Sequence, residues 1–288
     1  MTIPTFNGLH VLALETRRAK ETASLITKHG GRATIAPALR EVPLESNSEA
    51  LEFASALSRE EFDLVIFLTG VGLRVLLKVV EKNKTKKGFI EALTRTKVVS
   101  RGPKPLVVLR ELHVPIWATA PEPNTWRELL ALLDSKVKDR PLKGARVAVQ
   151  EYGVSNHDLL QGLEARGAKV TAVPVYRWEL PEDIAPLKNA VTAIIAGNID
   201  VLLFTTSVQV LHLCKIAAQM GQEANLRTAL TRTIIASIGP TTTEALERHN
   251  LKPDLEPSHP KLGSLIREAA ESSTLLLRTK NHKDASSS

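Results

Sequence analysis

Three separated segments of this chain each find a counterpart 137 residues further on. DLVIFLTGVGLRVLLKV from Asp63 matches DVLLFTTSVQVLHLCKI from Asp200, SRGPKPLVVL from Ser100 matches SIGPTTTEAL from Ser237, and GGRATIAPALREVPLE from Gly30 matches GAKVTAVPVYRWELPE from Gly167. The opening strands also correspond, FNGLHVLALE with LKGARVAVQE, at an offset one residue shorter, which a single insertion explains. One offset shared by separated segments marks an internal duplication. With 288 residues, the chain is long enough for two lobes that each bury a core.

Within each copy, short apolar and β-branched runs alternate with helical periodicity. The runs are HVLALE, ATIAPA, LVIFLT, KVVS and PIWAT, then RVAVQ, KVTAVPV, VLLFTT and TIIASI. Continuous apolar runs between helices predict parallel strands covered on both faces, so the fold class is α/β, doubly wound. The amphipathic stretches AKETASLITKHGG and HDLLQGLEARGA end at Gly30 and Gly167, as helix C-caps do. Pro37 and Pro174 weaken a central-strand reading and mark inter-lobe linkers. The tail HKDASSS reads as disordered.

Composition narrows the function classes. An apolar share of 43% and a charged share of 24% are those of a globular protein. The N-terminus has no basic region followed by a signal-length apolar stretch, and no run approaches the roughly 20 apolar residues of a membrane span. A cytoplasmic protein with no membrane contact is expected. Cys214 is the only cysteine and lies in a helix-face context, VLHLCKIAA, which suits a small buried hydrophobe. The formal charge of +7 suits an anionic partner, either nucleic acid or a polycarboxylate. With two Tyr, six Phe, no zinc-finger spacing and no basic run interleaved with aromatics, nucleic acid is not the expected partner. The Lys-rich run KNKTKK, from Lys82 to Lys87, reads as a solvated loop.

In doubly wound sheets, ligands bind outside the carboxyl ends of the strands. Four turns occupy such positions: Thr69-Gly70-Val71-Gly72, Arg101-Gly102-Pro103-Lys104, Thr205-Thr206-Ser207 and Gly239-Pro240-Thr241-Thr242. Each follows an apolar strand and opens a helix, so its backbone N–H groups and hydroxyls form an anion site with the helix dipole behind them. The other reading is that the Ser and Thr residues are N-caps. Alignment of all four by the duplication favours a shared cleft. Gly70-Val71-Gly72 resembles the start of a dinucleotide fingerprint, but Val75 stands where the third glycine belongs. No His-x-x-His or Cys-x-x-Cys spacing, Gly-x-Ser-x-Gly elbow or phosphate-binding loop motif occurs. No metal site is expected, and the site is expected to work by placing donors and cations.

The second-copy run VPVYRWELP, the FTT turn after VLL, and ASIGPTTTEALERHNLKPDLEPSHP together resemble the uroporphyrinogen-III synthase family over nearly the whole chain, with Gly-Pro-Thr-Thr the sharpest marker. The resemblance implies two flavodoxin-like lobes joined by a two-stranded linker: lobe 1 from 1–37 plus 176–275, lobe 2 from 38–175, and a disordered tail at 276–288. It also implies the reaction. Linear hydroxymethylbilane, an octacarboxylate, loses its terminal hydroxyl, the last pyrrole ring is inverted through a spiro intermediate, and the macrocycle closes without a cofactor, in a monomeric enzyme. The family's linker tyrosine matches Tyr176, which would assist departure of the hydroxyl, and Leu39 is its first-copy counterpart. Thr241 and Thr242 match the hydroxyl pair that faces substrate, Thr206 stands at a position usually held by serine, and Arg17 matches the basic residue after the first strand, with Arg18 its rival. LTGVG and RGPKP depart from the family's turns. A non-catalytic sensor of tetrapyrroles or other polycarboxylates is therefore the alternative.

Overall fold

A computed structural model of the chain describes residues 4–43, 48–136, 142–151, 153 and 155–285. Along it run β1 (His10–Ala13), α1 (Ala19–Lys28), β2 (Arg32–Ile35), β3 (Arg40–Pro43), α2 (Ser48–Ser58), β4 (Leu64–Phe67), α3 (Gly70–Lys82) and α4 (Lys86–Arg95). Next come β5 (Lys97–Ser100), α5 (Pro103–Glu111), β6 (Ala118–Thr119), α6 (Trp126–Lys136), β7 (Arg146–Gln150), α7 (His157–Glu164), β8 (Lys169–Val173) and β9 (Tyr176–Glu179). The chain ends with α8 (Ala185–Ile195), β10 (Val201–Phe204), α9 (Ser207–Gln219), α10 (Glu223–Leu230), β11 (Ile234–Ser237), α11 (Pro240–Arg248) and α12 (Leu262–Ala285). Among the described residues, nine of the eleven strands coincide with the nine apolar runs of the sequence. The other two, β3 and β9, follow the two prolines. Among the described residues no helix is long and apolar enough to cross a membrane.

The chain divides into two compact units, Met1–Arg40 with Glu179–Ser288, and Glu41–Trp178. Each crossing falls three residues later than the expected boundaries after residues 37 and 175, within the two-stranded sheet that β3 and β9 form with each other. The first unit holds a four-stranded sheet in the order β11-β10-β1-β2 and the second a five-stranded sheet in the order β6-β5-β4-β7-β8. Every paired strand in these two sheets is parallel. Each unit joins the opening half of one copy to the closing half of the other. Counted along the repeat, both sheets then share the flavodoxin-like order 2-1-3-4, to which β6 adds a fifth strand. The strand order reverses between β1 and β10 in the first unit, and between β7 and β4 in the second.

Alternate residues of each central strand serve opposite faces, which is why the strands are apolar throughout. In the second unit Val65 and Phe67 join a core cluster with α2, α3 and α4, while Leu64 and Ile66 join another with α6 and α7. In the first, Leu202 and Phe204 pack with α8, α9 and α10, while Val201 and Leu203 pack with α12. Phe67 and Phe204 are fully buried, and each such side chain contributes roughly 1.5–3 kcal/mol. Gly30 and Gly167 have φ of +69° and +82° just beyond α1 and α7, the left-handed geometry of a helix end.

The C-terminal segment differs from expectation. The tail expected to be disordered from residue 276 is helical as far as Ala285, and residues 286–288 lie outside the described residues. Leu276 and Leu277 pack against the core, and the Lys280 ammonium reaches Asp254 at 2.7 Å and the Thr233 carbonyl at 2.8 Å. Tertiary contacts thus override a polar composition.

At the linker, Arg40 bonds Glu179 at 3.0 Å, Glu182 at 2.8 Å and the Leu180 carbonyl at 3.2 Å. Just before β3, the Ala38 carbonyl accepts from Nδ1 of buried His212 at 2.6 Å. Burial pushes the His212 pKa down and Lys215 adds to this, while the Ala38 bond opposes it. An unfolded histidine takes its proton near pH 6.5, and folded His212 takes it only at lower pH. Stability is therefore complete above pH 6.5 and lost as the pH falls below it. Thermal melts between pH 7.5 and 5.5 should show a shallower decline for His212→Gln, which keeps an N–H donor, and equal slopes would remove His212 from the acid response.

Candidate functional site

The predicted site residues gather at the carboxyl ends of the parallel strands. Arg17, Thr205, Thr206, Ser207, Gly239, Pro240, Thr241 and Thr242 follow β1, β10 and β11 on the rim of the first unit. Thr69, Gly70, Arg101, Gly102 and Lys104 follow β4 and β5 on the rim of the second. Tyr176 opens β9 instead.

Both rims are built alike. Thr69 and Thr206 are N-caps of α3 and α9, accepting from Gly72 N at 3.0 Å and Val208 N at 3.2 Å, and both keep a hydroxyl proton to donate. Gly102 and Gly239 begin α5 and α11, with Pro103 and Pro240 at the first helical position. The buried hydroxyls of Ser100 and Ser237 donate to the carbonyls of those glycines at 2.7 Å and 3.1 Å. Arg101 N and Ile238 N donate back to Phe67 and Phe204 at 3.0 Å and 2.9 Å. All these pairs except the two capped amides, Gly72 N and Val208 N, are related by the 137-residue offset.

These bonds sort the predicted donors. Pro240 has no N–H, so its part is to start the helix. The Thr242 N–H is bonded to the Gly239 carbonyl at 3.0 Å and its side chain is 3% exposed, whereas Thr241 is half-buried. The Lys104 N–H lies between Pro103 and Pro105, which have none. Thr205 N is held by the Gln209 carboxamide at 2.7 Å. Arg18 bonds Glu21 through Nε at 2.7 Å and Nη2 at 2.5 Å, raising the Arg18 pKa and lowering that of Glu21. Arg18 thus braces the start of α1; Arg17 and Arg18 are both exposed.

In the second unit the two predicted turns touch. A Cβ on Gly70 would stand 2.6 Å from the Lys104 carbonyl oxygen. The same applies to Gly72, whose Cβ would stand 2.6 Å from Cδ of Gln150. The Gly-Val-Gly run that imitates a nucleotide fingerprint is thus a packing requirement.

Sequence reasoning missed the groups at the strand-order reversals. Glu15 and Glu151 each follow the opening strand of a copy. Thr205 Oγ1 donates to Glu15, and Ser155 Oγ donates to Glu151 at 2.6 Å. Glu151 is 7% exposed. The shared endings VLALE and VAVQE were the available signal. Tyr176 is 4% exposed within the core of the second unit, edge-on to Trp178 with centroids 5.4 Å apart.

Comparison with known proteins adds the following. A family model described as uroporphyrinogen-III synthase HemD matches residues 20–267. The chain is 32% identical to a Methanothermobacter thermautotrophicus protein provisionally named uroporphyrinogen-III synthase, over 81% of this chain and 87% of that protein. It is 29% identical to the uncharacterized Bacillus subtilis protein YjjA, over 92% of this chain and 96% of that one. Its structure is similar to that of a mutant uroporphyrinogen III synthase from the extremely thermophilic bacterium Thermus thermophilus, with 26% identity, a TM-score of 0.73, and 93% of this chain and 100% of that chain covered.

Because the Gly70 and Lys104 turns abut, Gly70→Ala must push backbone apart and should cost about 1–3 kcal/mol in urea unfolding. Gly88→Ala, which meets open space within α4, is the control and should be neutral or stabilising. Equal midpoints for the two variants would refute the close approach.

Proposed function

The chain belongs to the uroporphyrinogen-III synthase family, and from that premise we propose that it cyclises hydroxymethylbilane to uroporphyrinogen III, inverting the last pyrrole ring and releasing water. We take it to act as a monomer in the cytoplasm, without a cofactor. The observation that supports the reaction most is the duplicated rim. It sets four helix N-termini, each with amide donors and partial positive charge, at the carboxyl ends of two parallel sheets. A substrate with eight carboxylates asks for such donors, and the net charge of +7 draws it in.

In this reading Gly70, Gly102, Thr206, Ser207, Gly239 and Thr241 hold carboxylates through backbone amides and hydroxyls, with Arg17, Arg101 and Lys104 as counter-charges. Each bond to a carboxylate is worth roughly 1.5–3 kcal/mol. Ring closure is intramolecular from the start, so holding the carboxylates contributes by orienting the reacting ends and restricting the chain's conformational freedom. Tyr176 is assigned proton donation to the departing hydroxyl: the carbon–oxygen bond breaks, the oxygen keeps the electron pair, and water leaves.

The test is a coupled assay that separates isomers. Hydroxymethylbilane closes to the I isomer unaided, and the protein should divert it to III. Isomer I alone, from folded protein, would defeat the proposal, and tight uroporphyrin binding without diversion would identify a sensor instead. Tyr176→Phe keeps the ring packed on Trp178 and removes only the hydroxyl. Turnover should fall about tenfold, less than full general-acid catalysis because the substrate is already primed to ionise, and a thermal melt checks that the variant is folded at the assay temperature. An unaltered rate would take Tyr176 out of the mechanism.

A further inference from the structure

Where the strand order reverses, each unit buries a glutamine, and the two copies supply it from opposite elements. In the first unit Gln209, on α9, is 1% exposed; its carboxamide oxygen accepts from Thr205 N at 2.7 Å and its nitrogen donates to the Leu14 carbonyl at 3.0 Å. In the second unit Gln150, the last residue of β7, is fully buried; its oxygen accepts from Thr69 N at 3.4 Å and its nitrogen donates to the Glu151 carbonyl. The repeat equates Gln209 with Gly72 and Gln150 with Leu14. Where α9 carries the amide the residue just after β1 is leucine, and where β7 carries the amide the helix carries glycine, with the amide lying over it.

An apolar side chain could fill this volume without the desolvation cost of a carboxamide. The two glutamines come from different elements and bond adjacent rather than equivalent groups, Thr205 N and the Leu14 carbonyl in one unit, and Thr69 N (counterpart of Thr206) and the Glu151 carbonyl (counterpart of Glu15) in the other, which indicates that a carboxamide bridge is what the region requires. Beyond the last ladder bond, β1 and β10, like β7 and β4, send their chains to opposite faces, so the loops that follow share no sheet bonds. The carboxamide joins them: one end grips the loop after the opening strand and the other grips the first amide of the rim turn. That bond fixes where the next amides of the turn, at Gly70 and Val71 or at Thr206 and Ser207, point.

We propose that Gln150 and Gln209 are positioning residues that aim the substrate-facing amides of the two rims, and that the copies have traded the element that supplies them. This rests on the reading that the rim turns bind the substrate.

The test uses the full chain with Gln150→Leu, Gly72→Gln and the two combined, which rebuilds the first unit's arrangement in the second. Gln150→Leu should raise KM on the order of fivefold while kcat changes less than twofold, and should speed hydrogen exchange at the Thr69 amide. Gly72→Gln alone should unfold or weaken the second unit, because two glutamines compete for one space. The double variant should melt above Gly72→Gln and recover KM, with protection moving from the Thr69 amide to the Leu68 amide, the counterpart of Thr205. Gln209→Leu gives the same reading in the first unit should the second-unit variants fail to fold. Unchanged KM and unchanged exchange in Gln150→Leu, or a double variant no better than the sum of its parts, would overturn the proposal. If the wild type neither turns over nor binds uroporphyrin, the substrate reading fails, and exchange at Thr69 and Leu68 still decides whether the glutamine holds the turn.

Discussion

Parallel strands that feed helices on opposite faces have to part at their carboxyl ends, and the polar groups exposed there need partners in a place too buried for water. Much of the rest follows from how this chain meets that constraint. The reversal point is where a doubly wound sheet offers a crevice. Here a carboxamide fills it in both units, so the donors left for a ligand are those of the next residues along each turn. The hydroxyl caps of Thr69 and Thr206 and the prolines at the starts of α5 and α11 then fix the first turns of four helices.

The duplication explains both what the two rims share and what they do not. Ser100 and Ser237 brace equivalent glycines, and the amides of Arg101 and Ile238 return to equivalent phenylalanines. Those bonds belong to backbone geometry and survive in both copies. Differences collect where side chains decide the outcome: Leu68 against Thr205, Gly72 against Gln209, Leu39 against Tyr176. Tyr176 and Trp178 pack edge-on in the core of the second unit, while their counterparts in the first copy are Leu39 and Glu41. Under the proposed reaction, a linear substrate with unlike ends would give such divergence a use.

Much of this was legible in the sequence. Nine strands announce themselves as apolar runs, the central ones because burial on both faces leaves little room for polar residues, and the four turns announce themselves by position within the repeat. The two linker strands are obscured in composition by prolines and polar residues, and it was the family resemblance that supplied the two-stranded linker, which pairing of β3 with β9 holds. The helical end of the chain was hidden because LLRTKNHKDA looks like a tail until Lys280 is seen to reach Asp254. Gln150 and Gln209 were invisible for another reason. Aligned position by position, each faces a non-equivalent residue, and only the folded chain reveals that they meet the same need. The glycines of the Gly-Val-Gly run pointed toward nucleotide chemistry until the Lys104 carbonyl and the Gln150 amide were found where side chains would have been.

The exchange of halves has a consequence for the chain as it is made. Val11 of β1 pairs with Val201 of β10, so the first unit's opening strand leaves the ribosome long before its neighbour exists. At roughly 5–20 residues per second, the delay is on the order of ten to forty seconds. Throughout it β1, α1 and β2 are a fragment whose β1 edge, later covered by β10, stands open, while the whole of Glu41–Trp178 is synthesised in a single stretch. The lobe whose strand comes first is the last to be completed, and its nascent edge is where a chaperone or a protease would find this polypeptide most vulnerable.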